Sequence, residues 1–204
     1  MSQTVPPFFR SLTAMLLKVE ATDGAGHRLP FDRGFAAGVE LIRTQTGRGR
    51  KVIFIGNGGS AAIASHQAVD YWKNGGMRAI AFNDSSLLTC IANDFGYPQV
   101  FEKPVEMFAD EGDVLIAISS SGRSENIHRG ARAARDKRGH VITLSGFAPD
   151  NPLRPLGDLN FYVPSRSYGE VEITHLAICH AIVDWIVEAR ERAAAGVASS
   201  PRPS

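Results

Sequence analysis

The feature that most constrains the fold is a series of five short apolar runs, separated mostly by segments long enough to form helices. The runs are KVIFI (51–55), MRAIAF (77–82), DVLIAIS (113–119), HVITLS (140–145) and LNFYVP (159–164). Several are continuously apolar, which is typical of strands buried on both faces of a sheet. Strands that alternate with helices form parallel sheets with right-handed crossovers. The pattern therefore predicts an α/β fold with a doubly wound, five-stranded parallel sheet in the flavodoxin-like order 2-1-3-4-5.

The segments between the runs predict the helices. Residues 61–72 and 124–137 are the clearest, and a split helical stretch is predicted over 85–108. The link over residues 146–158 contains three prolines, so we expect a loop there with at most one turn.

The ends of the chain divide it into three predicted parts. Helices are expected over residues 8–21 and 31–46, and a long helix over 169–195 closes the fold. The small, polar, proline-containing end of the chain predicts disorder. The parts are an N-terminal helical segment (1–48) that packs on the core or on a neighbouring subunit, the sheet domain (49–195) and a disordered tail (196–204).

Composition excludes several classes of function. The net charge of +1 gives no electrostatic reason to expect a nucleic-acid partner. No apolar run is long enough to span a membrane and no secretory signal begins the chain, so we expect a cytoplasmic protein without a membrane partner. Cys90 and Cys179 lie far apart in apolar surroundings, which predicts buried, reduced thiols.

Loop one, residues 56–60, has the sequence GNGGS and joins the first strand to a helix. Its glycines permit positive φ angles and close backbone approach, and the N–H groups at a helix start favour an anion. We therefore expect Asn57, Gly58, Gly59 and Ser60 to contact a phosphate or its sugar. The same residues fit a loose dinucleotide motif, G-x-G-x-x-A, with Asp84 as its acidic residue, and this alternative stays open.

Loop two, residues 119–124, has the sequence SSSGRS and follows the third strand. Its four hydroxyl groups and free N–H groups form a dense set of donors for a dianionic phosphate, more than helix capping needs. The phosphate ligands are predicted to be Ser119, Ser120, Ser121 and Ser124. In the order 2-1-3-4-5, loops one and two flank one crevice, which favours a phosphorylated sugar over a dinucleotide.

Four segments, in order, resemble a known family: VIFIGNGGSAAIASH, IANDFG, DVLIAISSSGRSENI and VITLSG. They are similar to sugar isomerase (SIS) domains, and in particular to the bacterial phosphoheptose isomerases. The similarity runs over residues 52–189 without large insertions. It implies an SIS fold with an N-terminal helical extension and a phosphosugar site, and it assigns Asn93 and Asp94 to contacts with the sugar.

The resemblance also implies a metal site and the groups that move protons. His66 and Asp70 lie four residues apart on one helix face, a spacing that also occurs in purely structural pairs. The family carries histidine at the positions of His66 and His180, glutamate at that of Asp70 and glutamine at that of Glu172. By this resemblance these four residues surround a zinc ion and the reacting carbons. Two histidines and two carboxylates suit Zn²⁺ or another divalent ion.

Two of these positions depart from the family pattern. Asp70 is one methylene shorter than glutamate, and Glu172 supplies a carboxylate where the family has an amide. We therefore hypothesise that the carboxylates exchange duties: Asp70 mainly binds metal, and Glu172 abstracts the proton. Asp70, Glu172 and His180 are the predicted catalytic residues, and the two carboxylates are also expected to contact the sugar.

Helix geometry bears on how these residues meet. Along one straight helix, Glu172 and His180 would be about 12 Å apart. Joint ligation then needs Glu172 to lie at or before the first turn, or one ligand to come from a neighbouring subunit. The family's tetrameric sites at subunit interfaces make a homo-oligomer, and specifically a tetramer, our expectation.

The reaction implied by the resemblance is the isomerisation of sedoheptulose 7-phosphate to D-glycero-D-manno-heptose 7-phosphate through an enediol, which feeds nucleotide-activated heptose synthesis. Two alternatives remain open at this point. One is a non-catalytic SIS-domain regulator that binds a phosphosugar or a protein partner, and the other is an isomerase of a different phosphosugar.

Overall fold

The computed structural model describes residues 6–198 as one α/β domain. Its strands are β1 (Glu20–Asp23), β2 (Arg28–Leu29), β3 (Val52–Gly56), β4 (Ala79–Ala81), β5 (Val114–Ser119), β6 (His140–Gly146) and β7 (Leu159–Val163). Its α-helices are α1 (Pro7–Leu16), α2 (Phe31–Gly47), α3 (Gly59–Lys73), α4 (Ser85–Phe95), α5 (Glu102–Phe108), α6 (Glu125–Asp136) and α7 (Tyr168–Ala198). Short 3₁₀ turns lie at Tyr97–Gln99 and Arg154–Leu156.

The sheet has the strand order β2-β1-β7-β6-β5-β3-β4. The strands from β3 to β7 are all parallel, and they are arranged in the predicted order 2-1-3-4-5. Every residue of β3 and β5 is buried, which explains why these runs are apolar without alternation. The doubly wound fold is therefore confirmed. Its order places loops one and two side by side at the carboxyl edge of the sheet.

The predicted count of five strands was wrong, because a hairpin adds two more. Strands β1 and β2 pair antiparallel, and β1 pairs antiparallel with β7. Ala21 is fully buried opposite Phe161, and the Asp23 carboxylate accepts hydrogen bonds from the backbone N–H groups of Ala25 and His27 in the turn. The hairpin covers the edge of β7, whose backbone groups would otherwise lack partners. The N-terminal segment is therefore two helices with a hairpin between them, not helices alone.

Most of the predicted helices and loops agree with the structure. The split stretch over residues 85–108 forms α4 and α5, and the proline-rich link over 146–158 contains one short turn. The closing helix, α7, continues to Ala198, so the predicted tail is wrong at 196–198, and residues 199–204 lie outside the described residues. Cys179 is buried as predicted, but Cys90 is exposed because α4 packs without any buried residue. No helix within residues 6–198 combines the length and apolar character needed to cross a membrane.

Helices α3 and α7 pack side by side and run parallel, and together they carry most of the candidate site. The Glu172 carboxylate lies against Gly59 at the amino-terminal ends of both helices. Near the end of α3, the Tyr71 hydroxyl donates to the Cys179 carbonyl at 3.2 Å. The loop that follows α3 then receives a hydrogen bond from the Arg190 guanidinium group of α7. Residues of α7 thus meet α3 and the loop after it at three levels, the first of them beside loop one.

Candidate active site

Loop one is built around glycine. Gly58 has φ +55° and ends the loop, and α3 begins at the next residue. A Cβ atom on Gly56 would lie 2.4 Å from the Ser60 carbonyl oxygen, so the strand can turn into the helix only with glycine there. The Asn57 amide exchanges two hydrogen bonds, of 2.9 and 3.0 Å, with that of Asn126 at the start of α6. This pair holds loop one to the element that follows loop two.

Loop two is held by a buried asparagine from the loop after β6. The Asn151 amide donates to the carbonyl oxygens of Ser120 and Gly146, at 3.0 and 2.8 Å, and is itself only 2% exposed. Gly122 has φ +64°, and its N–H group donates to the Ser119 hydroxyl at 3.1 Å. The Ser120 side chain is 4% exposed, and its hydroxyl has no hydrogen-bond partner among the described residues. A buried hydroxyl without a partner is costly, so a ligand at this point would supply what is missing.

The two loops face one cavity of about 240 Å³. Its walls combine both loops with the first turn of α7, and they are Asn57, Gly58, Gly59, Ser60, Ile118, Ser119, Ser120, Ser121, Ser124, Tyr168 and Glu172. The helix starts of α3 and α6 both border this space and favour negative charge there. The structure therefore brings to one cavity the eight residues of loops one and two that were predicted to contact the phosphate or its sugar.

Asn93, Asp94 and Asp84 do not join this cavity. Asn93 and Asp94 hydrogen-bond to each other at 2.8 Å on α4, and both side chains are exposed. Neither residue lines the cavity between the two loops, and their contact with the sugar stays a prediction. The Asp84 carboxylate caps α4 by accepting from two backbone N–H groups, so it does not serve as the acidic residue of a dinucleotide site.

His66, Asp70 and His180 form a compact cluster on the solvent-facing side of α3 and α7. The Asp70 Oδ2 atom lies 3.4 Å from His66 Nε2 and 3.3 Å from His180 Nδ1. One ligand atom from each residue lies within 4.8 Å of the others. Four ligands at about 2.0–2.1 Å in a tetrahedron are about 3.3 Å apart, so the two measured separations fit a zinc ion. The cluster offers three protein ligands and leaves the fourth position open.

Glu172 is not the fourth ligand within one chain. Its carboxylate lies in the loop cavity, where a Cβ atom on Gly59 would meet it at 2.3 Å. Because α7 is unbroken from Tyr168, eight residues separate Glu172 from His180 and place their backbones about 12 Å apart. Within one chain, three of the four predicted ligands thus form a cluster, and the Glu172 carboxylate lies apart from them beside loop one. A ligand from a neighbouring subunit stays a prediction.

Sequence reasoning missed two aromatic residues of the site. The Tyr97 hydroxyl donates to Asn57 at 3.0 Å, and Tyr168 forms part of the cavity wall. Neither lies in a motif with a fixed spacing. The available signal was weak: Tyr97 directly follows the IANDFG segment, and Tyr168 directly precedes the predicted helix over 169–195.

His175 is also part of the structure around the site, but it is inaccessible to solvent. It is fully buried, and its Nε2 lies 3.0 Å from the Ser145 carbonyl oxygen at the end of β6. Burial lowers the pKa of His175 to about 4, so the ring is neutral near pH 7. We therefore assign it the role of joining α7 to the sheet.

Comparison with known proteins places this geometry in a family. A family model described as "SIS domain" matches residues 31–146. The phosphoheptose isomerase of Geobacter sulfurreducens is 37% identical over 157 residues, which cover 74% of this chain and 82% of that protein. That of Helicobacter pylori is 37% identical over 152 residues, covering 72% and 78%. The chain belongs to the phosphoheptose isomerase family of SIS-domain proteins.

Solved structures agree with this membership. The phosphoheptose isomerase GmhA from Neisseria gonorrhoeae matches with a TM-score of 0.78 and 29% identity, over 88% of this chain and 94% of that one. More distant SIS structures share the fold alone, such as the Vibrio vulnificus NanR protein complexed with ManNAc-6P, at 17% identity, a TM-score of 0.61 and coverage of 79% and 56%. Within the phosphoheptose isomerase family, this chain is an isomerase.

Proposed function

We propose that this protein isomerises sedoheptulose 7-phosphate to D-glycero-D-manno-heptose 7-phosphate through an enediol, in the cytoplasm, as a step toward nucleotide-activated heptose. One observation carries the proposal: the same pair of helices, α3 and α7, borders a phosphate-binding cavity and carries a histidine–carboxylate–histidine cluster. An aldose–ketose isomerase needs both, because it must anchor a charged end of the sugar and move protons at the other.

The phosphate belongs in the cavity between loops one and two. The Ser120 hydroxyl, buried and without a partner among residues 6–198, is available to it, together with the hydroxyls of Ser119, Ser121 and Ser124. The N–H groups at the helix starts add to the binding of a dianion. The Asn57–Asn126 and Asn151 hydrogen bonds hold the loops in place before the ligand arrives, which lowers the entropic cost of binding.

His66, Asp70 and His180 would hold a divalent metal ion, and zinc fits their donor types and spacing. When bound, such an ion supplies Lewis-acid stabilisation of the negative charge that develops on the sugar oxygens. Asp70 lies between the two imidazoles and orients both. His180 is about one-third exposed, so it can exchange a proton with the substrate.

The base that removes the proton beside the carbonyl is Glu172 in this proposal. Its carboxylate lies beside Gly59 with no lysine, arginine or histidine nitrogen within 4 Å among the described residues, whereas Asp70 lies between two histidines. Positioned proton transfer of this kind contributes roughly 10²–10⁴-fold to the rate. The expected result is that Glu172→Gln lowers kcat by at least 100-fold and leaves the KM within about threefold. If Glu172→Gln retains turnover and Asp70→Asn loses it, the hypothesis that Glu172 is the base and Asp70 mainly a metal ligand is contradicted.

The decisive assay supplies sedoheptulose 7-phosphate to the metal-free protein and then to protein reconstituted with zinc, and measures the heptose product. Turnover that needs zinc supports the proposal, and turnover without zinc identifies a metal-free isomerase. Binding of the sugar phosphate without turnover would identify a non-catalytic sugar-binding SIS protein. Turnover of a different phosphosugar at a higher kcat/KM would correct the substrate.

A complete site requires two copies of the chain in this proposal, because Glu172 and the metal cluster are separated along α7. Exposed apolar side chains on the same two helices also favour association: Trp72 on α3 and Trp185 on α7 are both 54% exposed. We expect a homo-oligomer, most simply a tetramer, with active sites where two chains meet. Light scattering on the purified protein gives the number of chains directly.

Mixing inactive variants tests the shared site. Glu172→Ala and Asp70→Ala chains, each inactive alone, are unfolded together and refolded as a mixture. If each site combines Glu172 of one chain with Asp70 of another, random pairing restores about a quarter of the sites. A mixture as inactive as its two components would show that both residues act within one chain.

A further inference from the structure

A second cavity, of about 670 Å³, opens beside the phosphate cavity at the same edge of the sheet. It lies between loop two, the loop that follows β6 and the segment after β7. Its lining residues are Ser121, Arg123, Phe147, Ala148, Asp150, Asn151, Pro152 and Arg166. Ser121 lines both cavities, so they adjoin at loop two. A group in the second cavity would therefore lie next to the phosphate held in the first.

The wall between the two cavities is formed by two aromatic rings. Phe147 lines the second cavity and Tyr168 the first, and their rings meet edge to face with centroids 4.8 Å apart. Phe147 has φ +63°, which is uncommon for a residue other than glycine. Backbone hydrogen bonds hold it there: its N–H donates to the Ser165 carbonyl at 2.9 Å, and its carbonyl accepts from the Tyr162 hydroxyl at 3.2 Å. This wall is therefore fixed in position.

The second cavity carries net positive charge. Arg123 and Arg166 line it, and within the described part of the chain no carboxylate oxygen lies within 4 Å of either guanidinium group. Asp150 lines the same space and offsets one of the two charges. The floor is Asn151, which is buried and uses its amide to hold loop two. Free guanidinium groups beside a serine loop favour a phosphoryl group.

We propose that this cavity is a subsite for a second phosphoryl group, directly linked to one held by loop two. The ligand class is a diphosphate ester, because the cavities adjoin at Ser121 and a sugar with phosphates at opposite ends would not place both groups there. The volume leaves room for the esterified group beside the Phe147 ring. The proposal rests on loop two as the phosphate site of the proposed function. Such a ligand competes with the sugar phosphate and acts as an inhibitor of the isomerase.

The test compares inorganic phosphate with inorganic pyrophosphate by calorimetry on the full chain. We expect pyrophosphate to bind at least tenfold more tightly than phosphate to the unaltered protein. In the double variant Arg123→Gln/Arg166→Gln, the affinities for pyrophosphate and phosphate should differ by less than threefold. The affinity of this variant for phosphate should be within threefold of that of the unaltered protein. Arg48→Gln is the matched control, because Arg48 is exposed and precedes the amino end of β3, at the opposite edge of the sheet from both loops; it should retain the tenfold preference.

Each outcome decides the proposal. The second subsite is overturned if the unaltered protein prefers pyrophosphate to phosphate by less than threefold, or if the double variant retains the tenfold preference. Either result overturns it even when the protein turns over sedoheptulose 7-phosphate. Loss of turnover in every preparation, with the pyrophosphate preference intact, would instead overturn the proposed function and leave the subsite standing. ADP serves as the probe for the esterified group: binding at least as tight as pyrophosphate supports a diphosphate ester, and weaker binding restricts the subsite to the bare diphosphate and overturns that ligand class.

Discussion

Replacing Gly122 by alanine tests the way loop two is held. A Cβ atom there would lie 1.7 Å from the Asn151 Oδ1 atom, so Asn151 must leave its place. Its amide makes three hydrogen bonds, to Ser120, Gly146 and Leu153, each worth about 1 kcal/mol. Alanine at φ +64° adds about 1–2 kcal/mol of backbone strain. The free energy of unfolding should therefore fall by about 4–5 kcal/mol.

Thermal unfolding measures this loss. For a chain of this size, 1 kcal/mol shifts the Tm by about 2–4 °C, so Gly122→Ala should lower it by roughly 10 °C. Gly47→Ala is the matched control, because Gly47 lies in the last turn of α2 with no atom within 4 Å of its Cβ position. That control should keep the Tm or raise it slightly, since alanine favours a helix over glycine by about 1 kcal/mol.

Phosphate binding gives the functional side of the same prediction. The displaced Asn151 no longer supports the Ser120 carbonyl, and the loop loses the shape that its hydroxyls need. Below the lowered Tm, the affinity of Gly122→Ala for inorganic phosphate should fall by at least tenfold. A variant that melts within 2 °C of the unaltered protein and binds phosphate equally well would refute the idea that Asn151 fixes this loop.

Three further perturbations follow from the site. Gly59→Ala would place a Cβ atom 2.3 Å from the Glu172 carboxylate and push that flexible side chain out of the cavity. Turnover should therefore fall at least tenfold, while the Tm changes little. Unchanged turnover would show that catalysis does not depend on the position of the Glu172 carboxylate. Zinc at 100 times its Kd should stabilise the protein by about 2.7 kcal/mol, seen as a higher Tm, and Asp70→Ala should abolish that rise. His175 is neutral when folded, with a pKa of about 4, and the unfolded chain takes up the proton first, at about 6.5. The contribution of neutral His175 to the free energy of unfolding is therefore fully present above pH 6.5 and should fall by about 3 kcal/mol as the pH drops toward 4. Urea unfolding at pH 7.5 and 4.5 measures this loss, and the same measurement on His175→Gln gives the part that other groups cause. Equal losses in the two proteins would contradict the prediction.

The sheet was predictable where burial leaves a local pattern, and unpredictable where pairing is distant in sequence. β3 and β5 are buried on both faces and are therefore continuously apolar. β1 and β2 are short and carry few buried side chains, and β1 is stabilised by β7, more than 130 residues away. A helix prediction over residues 8–21 thus overlooked the hairpin, because no local property of these residues specifies their partner.

The site shows the same division. Loops one and two could be identified from their glycines and serines alone. Glycine indicates a tight turn, and serine supplies a hydroxyl donor, without reference to residues distant in sequence. His66 and Asp70 follow from helix spacing, but His180 entered through resemblance, since a histidine in an apolar stretch carries no signal of its own. The second cavity, with Arg123 and Arg166, went unrecognised because its residues come from three loops that meet only at the edge of the folded sheet.

The unbroken course of α7 connects catalysis to assembly. A kink between Glu172 and His180 would let one chain bring both to the same metal ion, but α7 contains no break there, and the buried face from Val171 to Ile186 holds the helix straight against the core. One chain therefore offers a phosphate cavity with a carboxylate and, about 12 Å further along, a metal cluster with one open position. If the two halves act together only between chains, specific activity should fall on dilution below the dissociation constant of the oligomer. Activity per chain that stays constant while light scattering shows the oligomer separating into monomers would contradict this account.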